Sequence, residues 1–189
     1  HKGADRGAEL QPFIGYNFRI SELHAAVGLE QIKKLDTFLA IQKKNHTDLK
    51  NALAQIPEVS FRRIPDESGD SCTFLSWFLP TEEATKAVVA ELKARNILAG
   101  NFYWFVNNWH YISKWDHLKN AVTLNSLHPD LKAAVIHHAT KDFGASDAIM
   151  SRCISTAIGL TWTDEQLKTK CDQLVGVIQK VLSEQKVAL

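Results

Sequence analysis

Eight histidines and three cysteines are the side chains here with the widest chemical reach, as metal ligands or nucleophiles. Their spacing argues against both uses. Cys72, Cys153 and Cys171 are odd in number, far apart and without a CxxC pair. Neither a disulfide framework nor a zinc knuckle is expected, and the thiols read as reduced, cytosolic ones. His137 and His138 are adjacent and do not share a helix face, and His110 and His117 lie seven residues apart in an aromatic passage. No HExxH spacing occurs, so no metal site is expected. Phosphate-loop, dinucleotide and nucleophile-elbow patterns are missing too, which leaves no self-contained catalytic constellation. Three passages remain. "GYNFRISE" sets the polar trio Gly15, Asn17 and Arg19 just ahead of a helix. "NFYWFVNNWH", Asn101 to His110, is dense in aromatic and amide groups. "SRCIS" places Arg152 beside an apolar run. On spacing alone, Gly15 makes a tight turn that Asn17 caps. Trp104, Trp109 and Trp115 then pin a long loop onto a core, because aromatic rings bury large areas.

The elements that must hold these passages follow from periodicity. Ser21 caps a long helix to about residue 40, with Glu22 in its first turn. Ala25, Leu29, Ile32, Leu35 and Leu39 form its stripe, widened by Leu23, Val27 and Phe38, a breadth that suits two packing neighbours. Gly28 in mid-helix suits a close backbone approach. A second helical stretch covers 41–56, with Leu49, Ala52, Leu53 and Ile56 inward and Pro57 as its stop. "CTFLSWFLP" at 72–80 reads as a strand, and Thr81 caps a helix to about Arg95. "NILAGNFYWF" is a second strand. Residues 104–128 are irregular, a short helix begins near Pro129, and "CISTAI" at 153–158 is a third strand. The last helix opens with a capping box, Thr163 and Gln166, and a hydrophobic staple, Trp162 and Leu167. Leu167, Cys171, Leu174, Ile178 and Val181 make its inner stripe. The order predicts a small α/β or α+β domain, about three strands covered by helices, with mixed or antiparallel pairing. With 22 basic and 21 acidic residues the net charge is +1, which speaks against nucleic acid as partner. No run approaches the ~20 apolar residues of a membrane span.

The passage Gly15-Tyr16-Asn17-Phe18-Arg19-Ile20-Ser21-Glu22 resembles the signature of the DegT/DnrJ/EryC1/StrS family of sugar aminotransferases. The likeness continues through His24-Ala25-Ala26-Val27-Gly28-Leu29 and Lys33-Lys34-Leu35-Asp36. It implies the small C-terminal domain of a fold-type-I aminotransferase dependent on pyridoxal 5'-phosphate. Residues 1–20 would be a leading segment reaching the cofactor and dimer interface, and 21–189 the small domain. The cofactor domain, with its Schiff-base lysine, is expected upstream of His1. No catalytic residue is then expected within the chain, and the chain alone is expected to be inactive. Asn17 would donate to the cofactor phosphate of the other subunit of a homodimer, an amide donor adding no charge. Tyr103, Asn108, His110 and Arg152 are the substrate-binding expectations. Two departures stand out. Asn101-Phe102-Tyr103-Trp104 lacks the family's histidine and proline, and Thr156-Ala157 replaces a Leu-Pro pair.

The implied reaction moves an amino group from glutamate to a keto- or aldehydo-sugar in the cytoplasm. The passages around 101–120 and 147–163 resemble transaminases that make 8-amino-3,8-dideoxy-octulosonate for lipopolysaccharide. A nucleotide-linked 4-keto-hexose is the more generic substrate. The rival reading is a non-catalytic α/β interaction or carbohydrate-binding domain.

Overall fold

The computed structural model describes residues 19–106 and 111–187, so Asn17, Asn108 and His110 lie outside the described residues. The chain divides into two compact units, residues 1–38 and 39–189.

In the first unit, Ser21 caps α1 (Glu22–Ile32), its Oγ accepting from the His24 N–H at 3.3 Å. Glu22 lies at the electropositive end, where a carboxylate is stabilising. The single helix expected to residue 40 is broken: α2 (Leu35–Leu53) starts afresh after Lys33 and Lys34. The Lys34 N–H bonds the Gln31 carbonyl at 3.0 Å, an i to i−3 bond that tightens the end of α1. Neither glycine nor proline marks the joint. No residue of α1 is buried, and Leu23, Leu29 and Ile32 keep 74%, 61% and 65% exposure. The breadth of the stripe is therefore not matched by burial. A Cβ added to Gly28 would meet nothing within 4 Å, so no close approach explains that residue.

The second unit holds a four-stranded sheet with a helix-covered hydrophobic core on one face. Its strands are β1 (Ser60–Phe61), β2 (Phe74–Phe78), β3 (Asn101–Phe102) and β4 (Cys153–Ala157), in the order β1-β2-β4-β3 with every pair antiparallel. Between them run α3 (Glu82–Ala94), α4 (Asp116–Lys119), α5 (Pro129–Ala139) and α6 (Gly144–Met150). The long α7 (Asp164–Val187) closes the unit, and short 3-10 turns lie at 104–106 and 112–114. Register sets Trp77 opposite Ile154 and Leu75 opposite Thr156. Leu75, Trp77 and Ile154 thus share a face and are buried against Leu49 and Leu53 of α2, Val88 and Leu92 of α3, and Val177 and Ile178 of α7. Each such side chain contributes roughly 1.5–3 kcal/mol by leaving water. All three cysteines are buried and unpaired with one another.

The α+β architecture agrees with the sequence expectation, with two differences in the sheet. β1 was not anticipated, since two residues inside a polar passage carry no alternation to detect. β3 is only two residues long where ten looked strand-like. Gly100 adopts a φ of +82° before it, and the 3-10 turn follows almost at once. No helix among the described residues is long and apolar enough to cross a membrane.

Candidate functional site

Tyr103 and Arg152, two of the residues expected to meet substrate, converge on one corner of the second unit. Tyr103 follows β3, and Arg152 links α6 to β4. The Tyr103 hydroxyl donates to the Ser151 carbonyl at 2.8 Å, and the side chain is buried. Burial, with smaller contributions from Glu82 and Glu83, pushes its pKa up to about 12. Arg152 donates from Nε to the Ala148 carbonyl at 2.9 Å and from Nη1 to the Leu79 carbonyl at 3.3 Å. Its own carbonyl accepts from the Leu79 N–H at 3.0 Å. The guanidinium thus ties the end of α6 to the end of β2 through backbone groups.

The aromatic passage is held by its own rings. Phe105 lies 6.0 Å from Tyr103 and 6.0 Å from Tyr111, centroid to centroid, and Lys114 Nζ stands 4.5 Å from the Phe105 centroid. On the alternate residues, Trp104 stacks on Phe102 at 4.7 Å, and Phe102 meets Phe74 edge-on at 6.1 Å. Tyr111 is buried and donates to Asp147 Oδ1 of α6. Burial first, then that bond to a carboxylate, raises the Tyr111 pKa. Tyr111 and Asp147 were missed in the sequence: the tyrosine stands alone in an irregular stretch, and "GASDAIM" shows no helical stripe.

Asn101, the first residue of the passage, faces the helices instead. Trp77 Nε1 donates to Thr156 Oγ1 at 3.0 Å, and Thr156 donates to Asn101 Oδ1 at 2.7 Å. This relay borders a pocket of about 150 Å³ lined by Asn101, Thr156, Ala157, Trp162, Lys170 and Gln173 among others. Trp162 closes over Gly159 so tightly that an added Cβ would stand 2.4 Å from its Nε1.

A lysine that forms a Schiff base is typically desolvated, with a lowered pKa. Lys44 and Lys168 go the other way. Lys44 is raised by Asp164 and Asp48, at 2.7 and 3.1 Å, and Lys168 by Asp172. Lys180 and Lys186 pair with Glu91 and Glu58 at 2.8 and 2.6 Å. These four side chains are paired with carboxylates, which is not the setting of a Schiff-base lysine.

The sequence pattern of the DegT/DnrJ/EryC1/StrS aminotransferase family matches residues 2–175. The chain belongs to that family. Curated relatives include GDP-4-keto-6-deoxy-D-mannose 3-dehydratase of Yersinia pseudotuberculosis, 33% identical over 115 residues. The protein of the same name from Escherichia coli O55:H7 (strain CB9615 / EPEC) is 30% identical over 111 residues. Each alignment takes in 53% of this chain and 28% of the relative. The chain thus matches well under a third of those relatives' length. Among solved structures, 3-amino-5-hydroxybenzoic acid (AHBA) synthase superposes with a TM-score of 0.54 at 19% identity. That superposition covers 92% of this chain and 43% of the synthase, and it supports the fold of this family member alone.

Proposed function

We propose that this chain is the small C-terminal domain of a pyridoxal-phosphate-dependent enzyme that transfers an amino group from glutamate to a keto- or aldehydo-sugar. The observation that carries the reading is the passage Gly15 to Glu22, running into capped α1, inside a family match over residues 2–175. The finer reading is 8-amino-3,8-dideoxy-octulosonate as product, made in the cytoplasm by a homodimer for lipopolysaccharide. When bound, the cofactor supplies an electron sink. Its Schiff-base lysine belongs to a part of the enzyme beyond this chain, a reading supported by the ion-paired lysines of the second unit. This chain's own task is placement. Asn17 donates an N–H to the cofactor phosphate across the dimer. The clasp from Tyr103 to Ser151 and the bond from Tyr111 to Asp147 fix both ends of the segment that carries Asn108 and His110, the donors for sugar hydroxyls. Arg152, immobilised on two carbonyls, offers its remaining N–H groups to an anionic group of the substrate.

A second reading is favoured by the names of the two dehydratase relatives: loss of water from a nucleotide-linked 4-keto-6-deoxy-hexose. The longer enzyme decides between them. It would be supplied with pyridoxal phosphate and nitrogen-labelled glutamate, and with either the 8-oxo octulosonate or a nucleotide-linked 4-keto-hexose. Labelled nitrogen in the sugar establishes transamination. An unlabelled sugar lighter by one water establishes dehydration. Absence of both, with no cofactor bound, leaves the non-catalytic domain as the answer. Within that enzyme, Asn17→Ala should lower affinity for the cofactor by about tenfold or more, since a hydrogen bond to a charged group is worth roughly 1.5–3 kcal/mol. Unchanged affinity with a lower melting temperature would return Asn17 to its role as a turn cap.

A further inference from the structure

No metal site was expected from histidine and cysteine spacing, yet folding brings one histidine, one carboxylate and one thiol together. His46 lies on α2, while Asp70 and Cys72 lie on the loop that enters β2. Their ligand atoms, imidazole nitrogen, carboxylate oxygen and Sγ, all lie within 4.8 Å of one another. Cys72 is buried, and the other two are half-buried. We propose that His46, Asp70 and Cys72 form a binding site for a divalent transition metal, with zinc as the best chemical match.

Three features support the assignment. The first is donor type. Nitrogen, carboxylate oxygen and thiolate sulfur are the zinc set, and a carboxylate plus a thiolate neutralise a divalent ion beside a neutral imidazole. The second is geometry. Tetrahedral zinc with bonds of about 2.0–2.3 Å needs ligand atoms roughly 3.3–3.8 Å apart, within reach of small side-chain rotations from the observed spread. The beginning of the loop is already ordered: Asp66 Oδ1 accepts from the Ser68 and Gly69 N–H groups at 2.9 and 3.2 Å. Asp70 Oδ1 accepts from the Cys72 N–H at 3.0 Å, where Cys72 takes a left-handed φ of +58°. The third is access. A cleft of about 320 Å³ beside the three residues admits a water as fourth ligand.

Protonation is compatible with this set. Burial lowers the His46 pKa, which keeps a ring nitrogen available, and raises the thiol of Cys72, so an incoming metal must displace its proton. The same raised thiol argues against Cys72 as an activated nucleophile. Lys43, Lys50 and Arg62 place positive charge nearby. Lys43 Nζ is turned to the Ser68 carbonyl at 3.0 Å, and Lys50 Nζ lies 3.9 Å from Glu67. An ion bound here would fasten the loop 66–72 to α2, which supports β2 from beneath.

Cobalt(II) is the probe, because a sulfur-to-cobalt charge-transfer band reports a thiolate ligand and is silent to the surface histidines. The full chain, stripped with chelator, should take up one equivalent of cobalt with that band, and zinc should displace it. Cys72→Ser should abolish the band, while Cys171→Ser should retain it. Asp70→Asn should weaken uptake by more than the roughly 10–100-fold that losing a mere supporting partner costs. No band in the unaltered chain, or a band that persists in Cys72→Ser, overturns the proposal. Should Cys72→Ser fail to fold, Asp70→Asn decides once its fold is verified by tryptophan fluorescence. Unchanged cobalt affinity in that variant also overturns it.

Discussion

The Tyr103 hydroxyl and the Arg152 guanidinium both bond backbone carbonyls near the turn that leads into β4, and this gives each side chain a measurable structural share. Tyr103→Phe strips the Ser151 carbonyl of its donor inside a buried corner, so unfolding free energy should fall by about 1–3 kcal/mol in chemical denaturation. A merely substrate-facing phenol would leave stability unchanged and lower turnover alone. The pH dependence has a definite sign. The folded pKa of Tyr103, about 12, lies above its ordinary 10.0, so the folded state holds the phenolic proton more tightly. Its contribution is complete below pH 10.0 and declines as pH rises toward about 12. The stability gap between wild type and Tyr103→Phe should therefore shrink over that interval, and a gap constant with pH would contradict the burial of the hydroxyl. Residue type made Tyr103 and Arg152 visible in the sequence. Their partners were not visible, because they are carbonyls supplied by other elements, and a carbonyl has no letter of its own. A different reason hid the union of His46, Asp70 and Cys72: each has its letter, but their proximity exists only after α2 and the β2 loop have packed.

Elements were legible where their ends carry side-chain signals. Thr163 and Gln166 exchange the two bonds of a capping box, Gln166 Oε1 to the Thr163 N–H at 3.0 Å and Thr163 Oγ1 to the Gln166 N–H at 3.2 Å. The stripe that follows, Leu167, Cys171, Leu174, Ile178 and Val181, is buried throughout. Thr81 caps α3 with a single bond, its Oγ1 accepting from the Ala84 N–H at 3.1 Å. Thr163→Ala should cost about 1 kcal/mol, read as a lower denaturation midpoint at unchanged slope. Gly159→Ala should cost more and expose Trp162, seen as a red shift of its emission, because the added methyl would occupy the space of the indole ring. The short strands were legible only in part. β2 and β4 are five residues each and rich in β-formers, whereas β1 and β3 are two-residue pairings that tertiary contact imposes.

Across the whole chain the two units differ in what can hold them. The second has a core of its own, from Trp77 and Ile154 out to Val177 and Ile178. The first has α1, 11 residues with no buried side chain, yet with a broad apolar stripe. A helix of that length is marginal in water without tertiary packing. The periodicity was therefore legible, but it does not translate into burial within this unit. In the proposed enzyme a covering surface is supplied by the cofactor domain or by the second subunit. Amide hydrogen exchange tests this directly. In the chain alone, the amides of Ala25 to Ile32 should exchange orders of magnitude faster than those of Leu174 to Val181 in α7. In the proposed longer enzyme, the two sets should approach each other. Leu29→Glu should restore fast exchange in α1 of that enzyme while leaving α7 protected. Equal protection of α1 and α7 in the chain alone would mean that α1 is stable without a covering surface, and its stripe would then need another explanation.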